Sequence, residues 1–245
     1  AAMTPTPTPT STPSEEDTAG PMMSYAQFHN ALLLGEADFS FTRAFAQVFG
    51  GSSSITASEY GSAADLCARY HDGDEPKFAA SMASLASIPA VANVVVSMNC
   101  RILGQDAVPC QRFNPASSDF EPASFWPDIL SDHLFDLVLF NFPHTDQNGK
   151  ASRLVRALFK QLRMCVDSKR LPPDFTLEMR LRDAGERADG QPRVRAAYFH
   201  EEAASESSFT LVGKYPDDLA RWKALGYEHT MTKRDATIRG IKGSV

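Results

Sequence analysis

Ala31-Leu32-Leu33-Leu34-Gly35-Glu36-Ala37-Asp38-Phe39-Ser40-Phe41 decides how this chain folds. A short continuous apolar run closed by Gly is the pattern of a strand buried on both faces. The Gly lets the backbone turn tightly and approach another group closely. Either Asp38 or Ser40 suits the cap of a helix expected over Thr42–Phe49, which Gly50-Gly51 ends. Phe39, Phe41, Phe45 and Phe49 recur at a spacing that suits one helix face, so they read as core and not as a stacking platform.

The same strand-then-helix order repeats outward from this stretch. Ser54–Ser58 reads as a strand and Ala63–Tyr70 as a helix. A polar loop from His71 to Pro76 leads to a helix over Lys77–Ala86 and a strand over Val91–Met98. Residues 104–132 are rich in proline and turn signals and read as irregular, with one helix near Ser124–Leu130. Phe135–Phe140 is a second run apolar enough for burial on both faces. Ser152–Val166 reads as a helix and Phe175–Leu181 as a strand. A helix over Tyr198–Ser207, a weak strand over Phe209–Gly213, a helix over Asp217–Leu225 and a strand over Tyr227–Thr232 complete the order. Strands alternating with helices predict an α/β fold, a mostly parallel sheet with helices on both faces. The closing elements suggest an antiparallel edge strand.

The chain of 245 residues, 43% hydrophobic, suits one large domain, placed at 25–240. Residues 1–24 are dominated by Thr and alternating Pro, which excludes helix and strand and predicts a disordered tail. That tail has no basic-then-apolar run, so neither a secretory signal nor a transit peptide is visible in it. No apolar run reaches the roughly 18–20 residues of a membrane-spanning helix, and no membrane partner is expected. Cys67, Cys100, Cys110 and Cys165 are scattered without a Cys-x-x-Cys pair, which disfavours a zinc ribbon or a disulfide scaffold. Free thiols and metal-free chemistry are expected, with Cys67 and Cys165 as small buried hydrophobes.

The net charge of −6 hides a segregation: residues 1–149 hold 5 Lys+Arg against 17 Asp+Glu, whereas 150–195 hold 12 against 6. On the Ser152 helix, Arg153, Arg156, Lys160 and Arg163 fall within a band of about 80°, opposite Leu154, Val155, Leu158, Phe159 and Leu162. This is an amphipathic helix with a cationic outer stripe, either a solvated face or an RNA-phosphate contact.

Ligands of open α/β sheets bind beyond the carboxyl ends of the strands. Four such ends carry polar groups: Gly35 to Ser40, Glu59-Tyr60, Asn99-Cys100, and Asn141-Phe142-Pro143-His144. Glu59 is placed to accept both hydroxyls of a ribose. A dinucleotide needs bare glycines against its pyrophosphate, but the second and third positions here are Ala37 and Ser40. Glu36 and Asp38 make the loop acidic, which suits a sulfonium and an ammonium better than two phosphates. S-adenosyl-L-methionine is therefore favoured over NAD, for which only the strand–helix order speaks.

Gly35-Glu36-Ala37-Asp38-Phe39-Ser40-Phe41 resembles the GEGDFSF opening of the 25S rRNA (uridine-N3)-methyltransferase-like domain family, and Asn141-Phe142-Pro143-His144 resembles its NFPH motif. Met98 through Leu103 and Thr56 through Tyr60 match its third- and second-strand segments more loosely. The resemblance covers roughly residues 28–235. It implies a Rossmann-like enzyme that moves a methyl group from S-adenosyl-L-methionine to N3 of a uridine in large-subunit ribosomal RNA. Gly35, Glu36, Asp38, Phe39, Ser40, Glu59, Tyr60, Asn99, Cys100 and Asn141 would then border the cofactor. Asn141, Pro143 and His144 would form the catalytic turn, with His144 as the base for the weakly acidic N3–H and Asn141 bonding the uracil edge. Phe142 would stack on the base. Ribosomal RNA or a pre-ribosomal particle would be the partner, in the nucleolus or nucleus, with a mitochondrial setting left open. Ala37, Asn99 and Thr145-Asp146 stand where the family usually carries Gly, Asp and a Gly. A second reading therefore stays open: a methyltransferase-fold protein that acts in ribosome assembly or RNA binding without turnover.

Overall fold

The computed structural model describes residues 24–49, 53–129, 134–141, 150–180, 200–213 and 219–228. Seven strands form one sheet: β1 (Asn30–Leu34), β2 (Ser54–Ser58), β3 (Val91–Val96), β4 (Pro109–Asn114), β5 (Asp119–Ser124), β6 (Leu137–Asn141) and β7 (Thr176–Arg180). Their spatial order is β5-β4-β3-β2-β1-β6-β7. All neighbouring pairs from β3 through β7 of that order are parallel, and β3-β4 and β4-β5 are antiparallel. The helices are α1 (Ser40–Ala46), α2 (Ala63–Tyr70), α3 (Glu75–Ala86), α4 (Lys150–Asp167), α5 (His200–Glu206) and α6 (Leu219–Ala224). Among the described helices, none is long and apolar enough to cross a membrane.

The apolar runs behave as strands because both faces are covered. Leu33 of β1 joins Leu137, Leu139, Phe41, Phe45, Phe49 and Trp222 in the core on the α1 and α6 side. Leu32 and Leu34 join Val138, Phe140, Leu154, Leu158 and Leu162 on the α4 side. Under α2 and α3, Phe39 packs with Ala57, Leu66, Phe78, Met82 and Val94. A fully buried Phe or Leu contributes about 1.5–3 kcal/mol, and Phe45→Ala costs about 3–5 kcal/mol because the cavity adds to the lost transfer energy. The four phenylalanines are thus core, as their spacing predicts, although Phe39 faces a different cluster from the other three. Cys67 and Cys165 are buried, and all four cysteines are free thiols.

The antiparallel edge exists, but residues 109–124 supply it, within the stretch that reads as irregular. In β4 only Cys110 and Phe113 are buried, and β5 has no buried residue. An edge hairpin with so little burial shows no period-two pattern. Its turn is visible in the structure: Asn114 Oδ1 accepts from Ala116 N at 2.9 Å, and Ser118 has a φ of 56°. A single π-helical turn follows at Phe125–Ile129, inside the stretch expected to hold a helix.

Phe209–Gly213, expected as a weak strand, pairs with nothing in the sheet; Phe209 instead packs against Phe159 and Phe175. Tyr227 and Glu228 are likewise not in a strand, and the rest of that expected element lies outside the described residues. α1 begins two residues earlier than expected and ends at Ala46, because Gln47, Val48 and Phe49 close the helix with turn bonds to Ala44 and Phe45. α3 starts at Glu75 because Asp74 Oδ1 caps Lys77 N at 2.9 Å and Pro76 is tolerated in a first turn. Of the expected tail at 1–24, residues 1–23 lie outside the described residues.

Candidate active site

β1 leads to α1 on one face of the sheet and β6 leads to α4 on the other. The carboxyl ends of these adjacent strands therefore diverge, which makes the crevice between them the topological switch point. Gly35 turns out of β1 with a φ of +70°, and a Cβ there would stand 3.0 Å from Phe140 Cε2. Both the dihedral and the neighbouring strand end require Gly. Ala37 and Phe39 follow with φ of 53° and 61°, left-handed conformations that cost a non-Gly residue about 1–2 kcal/mol each. Tight contacts hold the loop in place. Glu36 N donates to Ser58 O at 3.2 Å, and Phe39 N donates to Glu36 O at 2.9 Å.

Glu59 braces the same loop from β2. Its Oε2 accepts from Ala37 N at 2.9 Å and its Oε1 from Gly61 N at 3.3 Å. Its backbone bonds Val95 O and Met98 N at 3.0 Å each. Two backbone N–H groups thus fix the carboxylate and leave further lone pairs for a ligand. Asp38 is the loop's other fixed acid. Its Oδ1 accepts from Ser40 N at 3.0 Å and from the Ser40 hydroxyl at 2.7 Å, which satisfies the first N–H of α1, while Phe39 stands at the N-cap without a side-chain cap. Ser40 Oγ also accepts from Glu228 N at 3.3 Å.

Glu36 points the opposite way, into the protein, and is only 4% exposed. The Thr42 hydroxyl lies 2.6 Å from its Oε2, and Asn141 Nδ2 donates to its Oε1 at 3.0 Å. Burial raises its carboxyl pKa to about 8, against hydrogen bonds from Thr42 and Asn141 that lower it; Asp38 and Glu59 nearby push it further up. Asn141 ends β6 and is itself buried, and its Oδ1 has no hydrogen-bond partner among the described residues. An orphan buried acceptor costs about 1–3 kcal/mol, so its position calls for a reason.

The remaining candidates divide. Tyr60, beside Glu59, is 70% exposed. Asn99 Oδ1 accepts from Arg101 N at 3.0 Å and caps the short turn after β3. Cys100 packs against the α4-side core, and burial pushes its thiol up to about 11. Phe39 is wholly buried. Phe142, Pro143 and His144 lie outside the described residues. On α4, Arg153 and Lys160 are exposed, while Arg156 pairs with Glu206 of α5 at 3.0 Å and Arg163 with Asp167 at 2.6 Å. Val155 and Phe159 receive Ala203 of α5. Thr42 is the residue that sequence reading passes over: it lies in α1 and Glu36 in the turn before it, so no single repeat runs through both.

A mostly parallel α/β sheet with an acid-bearing Gly turn after β1, a carboxylate after β2 and a buried Asn at the end of β6 has the form of a Rossmann-like methyltransferase fold. The profile of the BMT5-like family, described as rRNA (uridine-N3-)-methyltransferase BTM5-like, matches residues 32–231, and the chain belongs to that family. A stretch of 128 residues is also 30% identical to Heavy metal-associated isoprenylated plant protein 41 of Arabidopsis thaliana. It covers 52% of this chain and 19% of that protein.

Proposed function

We propose that the protein transfers a methyl group from S-adenosyl-L-methionine to N3 of a uridine in large-subunit ribosomal RNA, acting in the nucleolus or nucleus. The observation that carries this reading is the buried Asn141 amide at the β1/β6 switch point, with its carbonyl oxygen unpartnered among the described residues. An acceptor of that kind suits the N3–H of uracil.

The residues fit the methyl donor. In support, Gly35 makes the left-handed turn out of β1, and Glu59, braced by Ala37 N and Gly61 N, would take the ribose hydroxyls. Asp38 and Glu59, the two acids of the turn that are not buried, suit a cationic ligand better than a pyrophosphate. When bound, S-adenosyl-L-methionine supplies an electrophilic methyl whose carbon–sulfur pair stays on sulfur as N3 forms the new bond. In this reading Gly35, Asp38, Phe39 and Ser40 hold the donor from the turn, with Glu59, Tyr60, Asn99 and Cys100 along the neighbouring strand ends. Asn141 orients the uracil, Pro143 fixes the turn, and His144 takes the N3 proton. A uridine inside folded RNA is extruded to reach such a site.

The α4 stripe of Arg153, Arg156, Lys160 and Arg163 would track RNA phosphates. The partners that Arg156 and Arg163 now hold are themselves about half exposed, 54% and 57%, and such pairs give way to phosphate at small cost. Calorimetry with S-adenosyl-L-methionine tests the donor assignment. Saturable binding that Glu59→Ala weakens by about 2 kcal/mol through unpaired ribose hydroxyls is expected. A wild type that binds no donor would favour the assembly-protein reading instead.

A further inference from the structure

Glu36 sits in the acidic turn, yet its side chain is buried within the protein. It touches Thr42 from α1 and Asn141 from β6. Three groups from three elements therefore meet in a buried chain: Thr42 hydroxyl, Glu36 carboxyl, Asn141 amide. An Asn amide can face either way, and only its partners decide which. Here Oε1 of Glu36 takes Nδ2, and Oε2 is held by Thr42, so the carboxyl group cannot rotate to accommodate the opposite amide orientation. Turning the Asn141 amide over would set Oδ1 against Oε1, two acceptors in contact, and leave Nδ2 buried without an acceptor.

We infer that Glu36 is a positioning residue that fixes the Asn141 amide with its nitrogen inward, so that its carbonyl oxygen is the atom presented to the target base. The inference rests on the uridine-N3 reading above and deepens it. An acceptor at that point attracts the N3–H of uracil in the bound substrate. The N3 proton then leaves to a base or to water, and the freed N3 lone pair turns from Asn141 to the methyl as the new bond forms. In its neutral form Glu36 keeps Oε1 as the acceptor for Asn141 when its proton sits on Oε2, the oxygen that the Thr42 hydroxyl faces at 2.6 Å. Its raised pKa favours that form at neutral pH. A Gln at this position reproduces the pattern, since its amide oxygen accepts from Asn141 and its amide nitrogen donates to Thr42. A Met fills the space and offers no acceptor.

The test compares wild type, Glu36→Met and Glu36→Gln in donor affinity by calorimetry and in single-turnover transfer to large-subunit ribosomal RNA. Glu36→Met is expected to slow transfer about 10- to 100-fold, the cost of a misplaced orienting group, with the donor Kd within twofold. Glu36→Gln is expected to restore the rate to within about threefold of wild type. Transfer at the wild-type rate by Glu36→Met overturns the inference alone. So does loss of donor affinity in both variants, which would make Glu36 a charge contact for the donor. Should Glu36→Met not fold, NMR of the wild-type Asn141 side-chain amide, assigned through Asn141→Asp, decides the matter. Slow exchange of its protons is expected, and free exchange overturns the inference. A wild type that binds donor but methylates no RNA removes the uridine-N3 reading, and this inference with it.

Discussion

Glu36→Gln changes stability in a pH-dependent way that follows from burial. The ordinary carboxyl value is 4.5, and in the folded protein burial raises that of Glu36 to about 8. Between these values the unfolded chain has released the proton and the folded chain still holds it, so folding stability falls as pH rises. The stability associated with the neutral acid is fully present below pH 4.5 and is lost as pH climbs through 8. Relative to a non-titrating group, the loss grows by up to about 1.4 kcal/mol per pH unit, or about 2.5 kcal/mol between pH 5 and pH 7. Gln keeps the size and the two hydrogen bonds without the titration. Urea unfolding of wild type and Glu36→Gln at pH 5, 6, 7 and 8 measures the difference. The gap should open steadily in favour of Glu36→Gln and flatten above pH 8. Parallel stability curves for the two proteins would refute the buried, neutral Glu36.

Ala37→Gly should raise stability by about 0.5–1 kcal/mol in urea unfolding, because the left-handed strain at φ 53° outweighs the added chain entropy. Arg156→Gln alone should change stability by less than about 1 kcal/mol, since its pair with Glu206 is half exposed. Changing Arg153, Arg156, Lys160 and Arg163 together to Gln should lower the log–log salt slope of RNA binding by up to about 3, and an unchanged slope would make α4 an ordinary solvated face. His144→Ala should cut methyl transfer about 10²- to 10⁴-fold with donor affinity nearly intact and with activity rising toward high pH; a wild-type rate would place the base elsewhere.

The strands that form the site were readable because burial on both faces leaves a continuous apolar run, as in Ala31–Leu34 and Leu137–Phe140. The Gly35 turn and the polar residue ending β6 were readable for the same reason: each interrupts such a run. The β4–β5 hairpin was not, because Cys110 and Phe113 are its only buried side chains and two residues set no period. α3 was legible except for its first two residues, because Pro76 reads as loop although a first helical turn accepts it. Glu36 was placed with the donor on the strength of its charge and its neighbours. Its actual environment depends on Thr42 and Asn141, and the Asn141 contact spans 105 positions of sequence, which no local pattern encodes. The α4 stripe was legible as a face, but the Glu206 partner of Arg156 arrives on α5, 50 positions away.

The most direct test of the methyltransferase reading is nucleoside mass spectrometry of large-subunit ribosomal RNA incubated with the purified protein and S-adenosyl-L-methionine carrying an isotopically labelled methyl group. The label should appear in N3-methyluridine, and Asn141→Ala should abolish most of it while still binding the donor. Label found at another atom or base, or none in RNA from a protein that binds the donor, would contradict uridine-N3 methylation by this site.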